Sequence, residues 1–135
     1  MRRLGLLAVL ALAGCGGCAG TDAKLRVVVP DNNIREEGVE CSGARPFRAI
    51  HRGTDFRIRA AGEVVADGEL PAGRAVNADP SVDWGVPRIP TYCVFDVEVE
   101  LPERQRYELE LPDVVPVAFE RRLLGDEPLR LVLSG

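Results

Sequence analysis

The chain predicts an all-β fold, a small antiparallel sandwich of about seven strands. Three observations carry that expectation. Short apolar runs of strand length recur between turn residues, and several alternate strictly between apolar and charged positions, the period of a half-buried strand. No window carries the i, i+3, i+4, i+7 stripe of an amphipathic helix, apart from a turn at 121–125. Finally, 14 glycines and 10 prolines are spread along the chain as turn punctuation rather than gathered into a low-complexity tract. There is no internal repeat, and the length suits one domain with a real core.

In chain order, LRVVV (25–29) is the first strand, ended by Pro30-Asp31-Asn32-Asn33. Residues 31–46 are mostly polar. TDFRIRA (54–60) places Phe56, Ile58 and Ala60 on one face and Arg57 and Arg59 on the other. EVVADGEL (63–70) follows Ala61-Gly62, which predicts a hairpin. Residues 71–90 read as one long loop. TYCVFDVEVEL (91–101) has the clearest two-residue period, with Cys93, Phe95, Val97, Val99 and Leu101 inward and Asp96, Glu98 and Glu100 outward. RYELEL (106–111) repeats it with Tyr107, Leu109 and Leu111 inside, and VPVAFER (115–121) and PLRLVL (128–133) supply two more strands. About seven such strands predict an immunoglobulin-like or transthyretin-like sandwich over residues 24–135.

Ahead of that domain, Arg2 and Arg3 precede an apolar or small run from Leu4 to Ala13, the pattern of a secretory signal. The run is far short of the roughly 20 residues needed to span a bilayer. It ends in Leu12-Ala13-Gly14-Cys15, which resembles the lipobox of bacterial lipoproteins. The resemblance implies that residues 1–14 are removed and that Cys15 becomes the acylated first residue, with 15–23 as a short tether. Gly16 after that cysteine implies export to the outer membrane where one exists. Eight flexible residues (16–23) reach only ~16 Å, so the domain sits close to the lipid. Cys15 and Cys18 also form a C-x-x-C. A redox pair belongs where a strand feeds a helix N-terminus, and zinc needs more ligands than Cys41, Cys93 and the lone His51 offer.

Without residues 1–14 the chain keeps 15 basic and 21 acidic residues, a net −6. That balance argues against nucleic acid and against electrostatic attachment to anionic headgroups. Sixteen arginines against the single Lys24 point to a GC-rich genome. An exported chain meets oxidising conditions. With Cys15 acylated, Cys41 and Cys93 lie inside the domain and Cys18 in the leader, so the expected disulfide is Cys41–Cys93. Closing that loop is worth ~4 kcal/mol on the chain-entropy view.

A second similarity runs through Cys41-Ser42-Gly43, Ile50, Gly53, the V-x-x-x-G-x-L of Val64 to Leu70, Gly73 and Cys93-Val94-Phe95. With Tyr107 and the apolar 129–133 strand, this order resembles small secreted or lipid-anchored proteins of high-GC bacteria. It implies the same fold and disulfide, and no function.

Four groups of residues invite chemistry. His51 with Asp55, and Ser42 as nucleophile, would make a hydrolase, but no nucleophile elbow surrounds them. The acidic stretches 31–37 and 77–83 invite calcium, yet the sixth positions of their loops are Glu36 and Trp84 rather than glycine. Arg57 and Arg59, with Asp96, Glu98, Glu100, Glu108 and Glu110, suit cross-strand ion pairs as well as a ligand surface. Trp84 lies in a loop too long to be a mere connection, with Asp79, Asp83 and Arg88 near it. Such a tryptophan either plugs one end of the core, its commoner fate, or serves recognition.

These readings predict a lipid-anchored extracytoplasmic lipoprotein on the cell membrane or outer membrane, a non-enzymatic binding or interaction module of the envelope. Its partners would be the membrane, through Cys15, and an envelope protein or wall ligand, with no metal, cofactor or nucleic acid. Trp84, Asp79, Asp83 and Arg88 form the candidate binding loop. The alternative is an accessory subunit of an envelope complex, and an envelope hydrolase comes third.

Overall fold

A computed structural model describes residues 20–135. The expected signal segment, Cys15 and Cys18 lie outside the described residues. Among those residues nine strands form two packed sheets. In chain order the strands are β1 (Thr21–Glu36), β2 (Glu40–Cys41), β3 (Asp55–Ala60), β4 (Glu63–Glu69), β5 (Gly73–Asn77), β6 (Arg88–Leu101), β7 (Arg106–Glu110), β8 (Val117–Glu120) and β9 (Leu129–Val132). One sheet has the order β2-β5-β6-β1-β9 and the other β4-β3-β7-β8. A three-residue 3-10 turn, Arg121–Leu123, falls inside the expected turn. No helix among the described residues is long and apolar enough to cross a membrane.

The sandwich expectation holds, with a strand order of its own. In immunoglobulin domains the first two strands share a sheet. Here β1 and the two-residue β2 also share a sheet, while β3 lies in the other. Every pairing is antiparallel except β1 with β9, which run parallel from Leu25↔Leu129 to Val28↔Val132.

Three boundaries differ from the sequence reading, each for a local reason. β1 begins at Thr21, so residues 21–23, expected as tether, pair with Val99 to Leu101. β1 also runs through Pro30 instead of stopping there. The register with β6 breaks between Val29 and Asn33, so the proline sits in an irregularity where its missing N–H costs no ladder bond. Asn32, at φ 52°, takes the left-handed turn that this detour requires. Finally, the expected 71–90 loop contains β5 and the start of β6, and its irregular parts are residues 71–72 and 78–87. Gly73 opens β5 because a Cβ there would stand 2.5 Å from the Cys41 carbonyl oxygen and 2.7 Å from Cys93 Sγ.

The β3–β4 hairpin turns on Ala61 and Gly62, both at positive φ, as a type I′ turn demands. Inward alternation then builds the core. Phe56 and Ile58 from β3, Tyr107 and Leu109 from β7, and Leu25 and Phe95 from the facing sheet are all buried. Each such side chain contributes about 1.5–3 kcal/mol by leaving water. Tyr107 stacks on Phe119 with ring centroids 5.2 Å apart. Its hydroxyl donates to Pro102 O at 2.6 Å and accepts from Arg104 N–H at 3.1 Å, which ties the β6–β7 turn to the core. The outer face is not wholly wet, since the cross-strand partners Val28 and Val94 are also buried. The Cys41–Cys93 disulfide forms as expected, with Cα atoms 5.9 Å apart, pinning the short β2 to the centre of its sheet.

Candidate functional site

The β1–β6 ladder orients everything that follows. Thr21 stands opposite Leu101 at one end, and Glu36 opposite Arg88 at the other. The 78–87 loop joins β5 to β6 at this second end, because Asn77 pairs with Thr91.

Short polar side chains shape that loop from within. Asn77 Oδ1 accepts the Asp79 N–H at 2.9 Å, and Asp79 Oδ1 accepts both the N–H and hydroxyl of Ser81 at 3.1 and 2.5 Å. Asp83 Oδ1 accepts the Gly85 N–H at 3.1 Å. These are local turns in which an Asn or Asp side chain replaces a backbone acceptor two residues on. Asp79 and Asp83 therefore hold the loop's shape. Ala78 N–H closes the base by donating to Pro90 O at 3.1 Å.

Trp84 does not plug the core. It is 38% exposed, and its indole N–H donates to Asn77 Oδ1 at 3.3 Å. A plug would need the ring to reach the buried layer, but the loop's turns keep it at the rim. Val82 and Val86 flank it and are exposed as well, Val86 at 59%. The connection leaving β1 adds to the same end. Asn77 N–H donates to Glu37 Oε2 at 3.1 Å, Gly38 N–H to Ala75 O at 2.8 Å, and Ala75 N–H to Val39 O at 2.9 Å. Val39 is exposed, and so is Ile34, at 46%, opposite Pro90. Arg88 stands opposite Glu36 and donates to Ile34 O at 3.3 Å. Of the nine large apolar residues exposed among the described residues, five belong to this end. Sequence reasoning found Trp84, Asp79, Asp83 and Arg88, took Glu37 and Asn77 only as the ends of acidic stretches, and gave no role to Ile34, Val39, Val82 or Val86. The spacing of Val82, Trp84 and Val86 at every second position was the available signal.

At the same end of the ladder, the β1 irregularity carries a buried polar cluster. Arg35 pairs with Asp31 at 2.6 Å, and their side chains are 10% and 0% exposed. Arg35 also donates to Ser42 O at 2.9 Å and Thr91 Oγ1 at 3.1 Å, while Ala44 N–H donates to Asp31 Oδ2 at 2.8 Å. Burial alone would raise the Asp31 carboxyl, but the Arg35 hydrogen bond and charge, with the Ala44 and Asn33 N–H groups, outweigh it. The group lies below the usual carboxylate range. It locks the β1 irregularity against the 42–44 segment next to the disulfide. With both oxygens engaged in this way, Asp31 is a structural anion rather than a calcium ligand. Among the described residues, no three His, Cys, Asp or Glu side chains converge as a metal-ligand set.

The charged faces divide differently from the expectation of one surface. Arg57 and Arg59 lie on β3, but Asp96, Glu98 and Glu100 lie on β6 in the other sheet. Arg59 pairs with Glu110 at 2.7 Å. Asp96 instead takes Arg26 at 2.7 Å and Arg74 at 3.5 Å. Burial pushes the Asp96 carboxyl up, and these two arginines more than reverse it. His51 and Asp55 line an open hollow with Arg57 and Glu110. Its ring Nδ1 lies 2.8 Å from Arg52 O, so the imidazole is oriented by backbone rather than by Asp55. Ser42 contributes its carbonyl to Arg35 and belongs to the Asp31 cluster.

Comparison with protein-family models, curated proteins and solved structures gives no match for this chain.

Proposed function

We propose that this protein is a lipid-anchored module of the bacterial envelope, held by an acylated Cys15, that works by binding rather than catalysis. The 78–87 loop is its contact surface. One observation carries the reading: the exposed Trp84, Val82 and Val86 gather with Ile34 and Val39 at the end of the β1–β6 ladder opposite Thr21. An anchor preceding Thr21 leaves that end directed away from the lipid. Exposed apolar side chains clustered in one place mark interaction sites more often than scattered ones do, and tryptophan is enriched where binding energy concentrates. The lipobox resemblance of Leu12 to Cys15 supports the anchor.

Two measurements test this. Intact-mass analysis of the purified protein should show a diacylglycerol adduct on Cys15, and an unmodified Cys15 would overturn the localisation. Pull-down from envelope extract should lose its specific partner with Trp84→Ala, while the melting temperature stays within a few degrees. Retained capture by the variant would remove the loop as the contact surface.

A further inference from the structure

The binding end has a chemistry as well as a shape. Its exposed apolar residues are ringed by acids: Glu36 and Glu37 leave β1, and Asp79 and Asp83 stand in the loop itself. Glu37 and Trp84 meet on one residue, since Asn77 donates its N–H to the first and accepts from the second. Asp79 shares that same Asn77 oxygen. Arg88 is an exposed cation in this ring, and Arg35 is turned inward onto Asp31. With the Glu40–Arg52 pair beside Val39 counted in, five exposed acids against two exposed bases leave a net −3 around an apolar centre.

Resting on the proposed function, we infer that the partner presents a cationic, apolar protein segment, with arginine or lysine alternating with large apolar side chains. The acids would steer that segment and set its orientation, while Trp84, Val82 and Val86 would bury its apolar positions. The acids at this end are unevenly committed. Glu37 gives an oxygen to Asn77, and Asp79 and Asp83 spend oxygens on the loop's own turns, yet all three remain at the surface. A rim of this kind supplies attraction and specificity, and the apolar centre supplies most of the affinity. Charge alone would not select this end. The outer face of the β4-β3-β7-β8 sheet is also acidic, with Asp67, Glu69 and Glu108, but lacks an exposed tryptophan.

The full chain, purified in mild detergent, would be titrated with labelled twelve-residue peptides of alternating Arg-Leu, Glu-Leu and Arg-Ser. The Arg-Leu peptide should bind at least tenfold more tightly than either of the others. Trp84→Ala should weaken it about tenfold. A combined Glu37→Gln, Asp79→Asn, Asp83→Asn variant, which keeps every hydrogen-bond acceptor, should weaken it about fivefold and flatten its salt dependence. Asp67→Asn with Glu69→Gln on β4 should leave it unchanged. Equal binding of Arg-Ser or Glu-Leu would overturn the inference, as would loss through the β4 variant. Binding confined to phosphatidylglycerol vesicles would overturn it too, by making the end a lipid contact. Site-specific photo-crosslinking from position 86 in cells separates the two levels. A partner captured there, whose crosslinked segment is not cationic, leaves the binding function standing and removes this inference.

Discussion

Trp84 and Asn77 are joined by a single hydrogen bond, indole N–H to amide oxygen at 3.3 Å, which fixes the exposed ring to the end of β5. The same oxygen starts the turn at Asp79, and the Asn77 backbone N–H holds Glu37. One residue thus ties Trp84 and the Asp79 turn through its side chain and Glu37 through its backbone.

Asn77→Ala should therefore loosen the loop without unfolding the domain. The expected cost is about 1 kcal/mol, the usual net worth of lost side-chain hydrogen bonds at a partly exposed site. Trp84 is the chain's only tryptophan. Its fluorescence should shift to the red in the variant, with partner binding weakened and far-ultraviolet dichroism unchanged. An emission spectrum identical to wild type would show that Asn77 does not hold the ring.

Asp31 should govern acid stability. Its carboxyl is held below its unfolded value, so its contribution is full above about pH 4 and is lost as pH falls through the folded value. Asp96 is depressed too, but at about half exposure its share is smaller. Asp31→Ala strands Arg35 in a nearly buried site and should cost about 3 kcal/mol at neutral pH. Thermal melts from pH 7 to pH 2.5 check both points: the variant should be less stable at neutrality and lose less on acidification. Parallel acid profiles would show that Asp31 does not drive the transition.

Gly73 should be intolerant of any side chain. A Cβ there meets backbone at Cys41 and the disulfide sulfur of Cys93, neither of which is a flexible chain end. Gly73→Ala should force β5 away from β2 and destabilise the domain by about 2 kcal/mol, in the range of overpacked cores. Reducing the disulfide in the wild type should cost about 4 kcal/mol. Denaturant titrations of the wild type and the variant, each with and without reductant, measure the two costs in one series.

Tyr107→Phe should remove the bridge from the hydroxyl to Pro102 O and Arg104 N–H while keeping the stack on Phe119. The expected loss is about 1–2 kcal/mol. Hydrogen exchange at Arg104 should accelerate, and unchanged protection there would place the turn's rigidity elsewhere.

Much of the fold was legible because alternation is a local signal. Cys93 to Leu101, Phe56 to Ala60 and Tyr107 to Leu111 each show in their own residues which face meets the core, and the tertiary structure follows them. Cysteine arithmetic likewise predicted the Cys41–Cys93 bond. What failed was local punctuation with a non-local exception. Pro30 reads as a stop, yet the ladder to β6 passes it because the irregularity places the proline where no bond is owed. Gly73 to Asn77 reads as loop because its strand character comes from pairing with β6 and β2, not from its own pattern.

The sequence by itself determined the class, the inward faces and the hairpin at Ala61-Gly62, which follow from spacing along the chain, and it pointed to the disulfide by elimination among the cysteines once the lipobox resemblance set Cys15 aside. Only the tertiary structure decided which sheet each strand joins and where the charges meet. Arg59 finds Glu110 and not Asp96, because strands on opposite sheets cannot share an outer face. It also decided the fate of Trp84. Whether a tryptophan is buried or displayed depends on what lies beneath its loop, and Glu37, 40 positions away in the chain, reaches that loop's base to meet Asn77. Their joint placement turns a long connection into an exposed apolar surface with an acidic rim.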